Sequence, residues 1–192
     1  GQVVLEAGRI VAPQDLELLA ELGVLKLRVR RRPAVALIPV GSELSYEVEE
    51  GKKLEVRHAI LSEVLRRNGA EPHVMPVAPD DPAEIRKILQ EALTKADVVV
   101  TIGGTSVGRK DYVWTTLKSM SGFEPLFRGL RFKPGRVTSM ARIRGKPVVL
   151  LAGHFQSMIV GLIYVLLPVV RYMAGLEPDA RRLVARGRLS ED

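Results

Sequence analysis

The chain has 192 residues, is 46% hydrophobic and carries a formal charge of +7 at pH 7, which is enough to bury a full core in one domain with additions or in two small ones. It has no cysteine, which excludes disulfide frameworks, thiolate zinc sites and thiol nucleophiles. The basic balance suggests an anionic partner, but aromatics are only 5% and none cluster among the arginines, which argues against nucleic acid, and a solvated, arginine-heavy surface accounts for the charge at least as well.

Residues 3–11 read as an extended piece. Pro13 and Asp15 start a helix over 16–22 that stops at Gly23, and residues 26–30 alternate as a short strand would. This unit, 1–32, reads as an arm or the remnant of a preceding domain. From Pro33 the pattern changes. An apolar strand over 34–39 ends in VGSEL, which delivers Glu43 at its C-terminal end; a polar loop over 49–53 follows, then a helix over 54–68 closed by Gly69. A strand over 72–77 precedes APDDP, where Asp80 or Asp81 caps a helix over 83–94 and Pro82 occupies its first turn.

The stretch ADVVVTIGGTSVGRKDYV, residues 96–113, is the centre of the chain. Val98, Val99 and Val100 form a strand buried on both faces that ends near Ile102. Gly103, Gly104, Thr105, Ser106 and Gly108 then make a small turn rich in N–H and hydroxyl groups, which suits an anion. Asp111 either holds a metal, accepts a proton, or caps the helix over 112–120. The loop is neither a Walker A sequence nor G-x-G-x-x-G.

Beyond it lie a strand over 123–128, the basic turn RFKPGR over 131–136, and a hairpin arm over 137–143 turning at 144–147. A buried strand over 148–151 and the turn Ala152-Gly153-His154 lead into a long helix over 155–174. The apolar run 158–170 is shorter than the roughly 18 residues of a membrane span and reads as buried helix. No secretory signal is visible, so no membrane partner and a cytoplasmic setting are expected. The three histidines, His58, His73 and His154, lie on different elements and make a poor zinc set. Trp114 reads as core.

Strands alternate with helices, so the expected fold is α/β: a three-layer αβα arrangement with a mainly parallel sheet covered on both faces. Ligands bind such sheets beyond the carboxyl ends of the strands. Glu43, Asp80, residues 103–111 and residues 153–157, including Gly153 and Ser157, all fall at such ends.

Those stretches carry a resemblance. GRIVAPQDLELLAELGV, VGSEL (the family's TGDEL), APDDPAEIR, TIGGTSVGRKDYV (SGGVSVGDYDYV), RFKPGR (KPGKP) and LAGHFQSM (LPGNPVSA) occur in the order found in the molybdopterin molybdenumtransferases, the MoeA and gephyrin E-domain group. The resemblance runs from about Gly8 to Gly175. It implies the MoaB/Mog-like core fold of molybdenum cofactor biosynthesis over 33–175, with 176–192 a basic stub leading to a further domain. It also implies a homo-oligomer, dimer or trimer.

By the same resemblance the substrate is molybdopterin or adenylyl-molybdopterin, and molybdate is inserted with Mg2+. Glu43, Asp80 and Asp111 match the family's carboxylates and become the catalytic and metal candidates. Gly103, Gly104, Ser106 and Gly108 match its phosphate- and pterin-facing loop, Lys133 and Arg136 its basic pair, and Ser157 the serine after its NP turn. Departures stand at Val40, Ser42, Arg57, Arg109 and His154. Arg57 and Arg109 are expected to make the pocket more positive, favouring an anion but competing with magnesium for the carboxylates. Three readings follow: a transferase of molybdenum cofactor assembly, a non-catalytic molybdopterin- or anion-binding module, and a CinA-like nucleotide hydrolase, whose GGLGPT-type loop is not present.

Overall fold

The computed structural model describes residues 3–105, 111–131 and 133–178. The sheet follows from the apolar runs. β1 (Ala34–Val40), β4 (Glu71–Val74), β5 (Val98–Gly103), β6 (Phe123–Arg128), β7 (Ser139–Ile143) and β8 (Lys146–Leu151) form one sheet in the order β4-β1-β5-β8-β7-β6. The first four of these run parallel, and β7 and β6 are added antiparallel. Two short strands, β2 (Leu44–Ser45) and β3 (Lys53–Leu54), pair beside it.

Side-chain alternation explains why both faces need cover. Ala36, Ile38 and Val40 of β1 point into a core closed by α3 (Pro82–Lys95) and α4 (Tyr112–Lys118). Val35 and Leu37 point the other way, onto α2 (Arg57–Arg67) and the helix Phe155–Met173. The three-layer α/β expectation is therefore met, with β1 and β5 entirely buried apart from the first residue of β1.

The boundaries differ in instructive ways. α1 spans Pro13–Glu21, because the Asp15 carboxylate accepts from Ala12 N–H at 2.8 Å and from Arg9, fixing the start earlier than residue 16. Residues 26–30 are not a strand: Leu25, Leu27 and Val29 stay exposed and, among the described residues, no neighbouring strand takes up their backbone. The final helix comprises α5 (Phe155–Gly161), a π-helical stretch Leu162–Leu166 and α6 (Leu167–Met173). Pro168 has no N–H to continue the α pattern, and the wider turn falls immediately before α6. At 19 residues and a mean hydropathy of 1.6 this helix is long and apolar enough to cross a membrane, unlike the shorter run read from the sequence. It packs one face on the sheet through Met158, Leu162, Val165, Leu166 and Val170.

Candidate functional site

The site is built where β1, β5 and β8 end side by side. From β1 the chain crosses to β4 on one flank and then to β5 on the other, which puts the topological switch point, where sheets of this kind hold their ligand crevice, at the carboxyl ends of β1 and β5. The approach is close. A Cβ on Gly103, whose φ is +90°, would lie 2.6 Å from the Val40 carbonyl oxygen and 3.9 Å from Gly153 Cα. On Gly104 it would lie 2.4 Å from Val40 Cγ1. Only glycine fits there, because Val40 and, at Gly104, Val113 occupy the space a side chain would need.

Neighbouring turns are tied to this edge. Val40 bridges to Ala78, and Gly41 N–H donates to the Ala78 carbonyl at 2.9 Å. Asp80 N–H donates to Ser42 Oγ at 2.8 Å, while Ser42 N–H donates to Asp80 Oδ2 at 3.2 Å. Of the two candidate caps, Asp81 takes the role, accepting from Ala83 and Glu84 N–H at 2.9 and 3.0 Å, which leaves the exposed Asp80 to the Ser42 turn. Glu43 is exposed and folds back over Gly41. The Thr105 hydroxyl donates to the Val137 carbonyl at 3.4 Å, bringing the basic turn with exposed Lys133 and Arg136 alongside the glycine loop. Ser157 sits half-buried in the first turn of α5. Ser106, Gly108 and Arg109 lie outside the described residues.

Asp111 is placed differently from the other carboxylates. It is 7% exposed, its Oδ1 accepts from Trp114 N–H at 3.1 Å as the cap of α4, and its Oδ2 accepts from Arg128 Nη2 at 3.1 Å. Arg128 in turn lies 5.5 Å above the Trp114 ring. Of the roles open to Asp111 in the sequence, capping is the one visible. Among the described residues no three Asp, Glu or His side chains stand together to hold a metal, so Glu43, Asp80 and Asp111 do not fit a magnesium site by themselves. We expect Asp111→Ala to lower stability by about 1–2 kcal/mol and Asp111→Asn, which keeps a capping oxygen, by less than half of that in urea denaturation.

A cluster that the sequence reading did not isolate braces the floor. Glu55 is 1% exposed and accepts from Arg57 Nε at 2.9 Å and from the backbone N–H groups of Arg57 and His58 at 2.9 and 3.2 Å; His58 Nδ1 lies 2.6 Å from its other oxygen. Burial pushes the Glu55 carboxyl up, but hydrogen bonds from His58 and Arg57 outweigh it and hold the group below its ordinary range. Arg57 also donates to the Gly153 carbonyl, joining the start of α2 to the turn after β8. Its charge is therefore spent on Glu55, which corrects the expectation that Arg57 makes the pocket more positive or competes for Glu43 and Asp80. Tyr46 packs edge-on against His58 with centroids 5.0 Å apart, and burial, aided by the Glu55 charge, pushes its hydroxyl up to about 12. The available signal was an acidic residue just ahead of a helix start.

The fold is a three-layer α/β domain with a mainly parallel sheet and its topological switch point at the ends of β1 and β5. The family described as "Probable molybdopterin binding domain" matches residues 36–172, and the chain belongs to it. It is 32% identical over 178 residues to the molybdopterin molybdenumtransferase of Staphylococcus aureus strain COL, a match covering 91% of this chain and 42% of that protein. The molybdopterin biosynthesis MoeA protein of Pyrococcus horikoshii superposes with a TM-score of 0.83 at 26% identity, over 92% of this chain and 44% of that one. The MoaB enzyme of Thermus thermophilus shares the fold at 18% identity and a TM-score of 0.57, over 77% of this chain and 99% of that one. The chain thus spans less than half the length of the molybdenumtransferase it matches.

Proposed function

We propose that the β1–β5 crevice binds molybdopterin or its adenylate, as a step in cytoplasmic molybdenum cofactor biosynthesis. The unit concerned is residues 33–175, working as a homo-oligomer, dimer or trimer. The observation that carries the reading is the pair Gly103 and Gly104 packed on Val40 at the strand ends, with Thr105 bonded to Val137 next to the turn bearing Lys133 and Arg136. Backbone N–H groups and two cations give a phosphate a charge-matched seat, and the exposed Glu43 and Asp80 leave acceptors at the rim for the N–H groups of a pterin. Calorimetric titration with molybdopterin tests it. Saturable binding is expected, weakened about tenfold by Lys133→Ala or Arg136→Ala. Absent heat, or equal affinity in the double variant, overturns it.

A second reading is insertion of molybdate into the adenylate with release of AMP, favoured by the 32% identity to a molybdenumtransferase. Glu43, Asp80 and Asp111 are its catalytic candidates and magnesium its expected cation. Glu43 and Asp80 are exposed at the same edge, and a magnesium ion would need substrate phosphate oxygens beside them to complete its shell. AMP release with molybdate and magnesium, lost in Asp111→Asn, would restore the transferase; ligand binding with no AMP leaves the binding module.

A further inference from the structure

A cavity lies at the opposite end of the sheet. Residues 27–32 run into the start of β1 and Gly69 precedes β4, so the hollow between them, the arm at 5–11 and the end of α6 sits about 20 Å from the crevice, the length of β1. Its volume is about 760 Å³, within the range of small-molecule sites. Arginines dominate its lining. Three are paired: Arg9 with Asp15, Arg31 with Asp97 and Arg67 with Glu63. Arg28, Arg30, Arg32 and Arg66 line the same hollow with no ion pair among the described residues.

Helix termini do not explain them. Arg66 complements the C-terminal dipole of α2, but Arg28, Arg30 and Arg32 belong to no helix. Arg30 is also positioned, since its Cδ and Nε pack so closely on Gly175 that a Cβ there would lie 2.4 Å from Cδ. The lining also includes the apolar Leu5, Ile10 and Leu176. Guanidiniums are planar forks matched to phosphate oxygens, and apolar side chains in the same lining suit an organic body.

We propose that this cavity is a second ligand site, for a small organic phosphate of at least two negative charges, independent of the crevice. Calorimetry with 1-naphthyl phosphate and pyrophosphate tests it on the whole chain. Saturable binding of both is expected, tighter for the naphthyl ester than for pyrophosphate if the apolar lining contributes, and retained in Lys133→Ala/Arg136→Ala. Arg30→Gln/Arg32→Gln should weaken it about tenfold or more with unchanged circular dichroism. The surface control Arg142→Gln/Arg144→Gln should not. Absent heat, unchanged affinity in Arg30→Gln/Arg32→Gln, or equal weakening in the control overturns the site. Loss confined to Lys133→Ala/Arg136→Ala also overturns it, assigning the heat to the crevice and leaving the function proposed above intact.

Discussion

Gly103→Ala is expected to destabilise the protein by about 3 kcal/mol, read as a fall in Tm of about 6–12 °C. The left-handed backbone accounts for about 1–2 kcal/mol of this for any L side chain. The remainder is steric: the new Cβ would lie 2.6 Å from the Val40 carbonyl oxygen, and Val40 is the register partner of Gly103 in the parallel ladder between β1 and β5. Neither strand can retreat without breaking the ladder that forms the floor of the crevice. Gly145→Ala is the internal control, because its φ is +80° but nothing lies within 4 Å of the added Cβ. Equal losses in the two variants would show that backbone conformation alone, and not close approach, sets the requirement at Gly103.

Removing the Glu55 carboxylate is expected to be at least as damaging. Glu55→Ala leaves Arg57 and two backbone N–H groups without their buried acceptor, and about 3–5 kcal/mol of stability should be lost. The pH dependence has a defined sign. The folded carboxyl titrates below its ordinary value of 4.5, so its contribution is fully present above that pH and is lost as pH falls through the folded value. Thermal melts of the wild type should therefore decline steeply below about pH 4.5, and those of Glu55→Gln should decline less. Parallel curves for the two proteins would remove Glu55 from the acid sensitivity. Because Arg57 reaches Gly153, Glu55→Ala should also loosen the turn after β8, seen as faster amide exchange at 152–154.

The sheet was legible because its strands are continuous β-branched or alternating runs, as in Val98, Val99 and Val100, and because turns such as Gly69 and Asp81-Pro82 mark where helices stop and start. What failed was local pattern without a partner. Residues 26–30 alternate correctly, but alternation makes a strand only beside another backbone, and pairing is not encoded in the segment itself. The site divided along the same line. The strand ends were readable, since Gly103 and Gly104 close β5 and Val40-Gly41 closes β1 where the apolar runs stop. The partner of each charge was not readable: Arg57 answers Glu55 two residues away, and Asp111 answers Arg128 seventeen residues on, pairings decided by packing. Charges counted as pocket features in the sequence became struts in the structure.

The most direct measurement is a crystal structure of the chain grown with molybdopterin. Ordered density for the ligand phosphate against the N–H groups around Gly103 and Gly104, within reach of Lys133 or Arg136, is the expected result. Density only in the arginine-lined cavity at the other end of the sheet, or a crevice filled by protein side chains at saturating ligand, would contradict the proposal that the β1–β5 edge is a molybdopterin site.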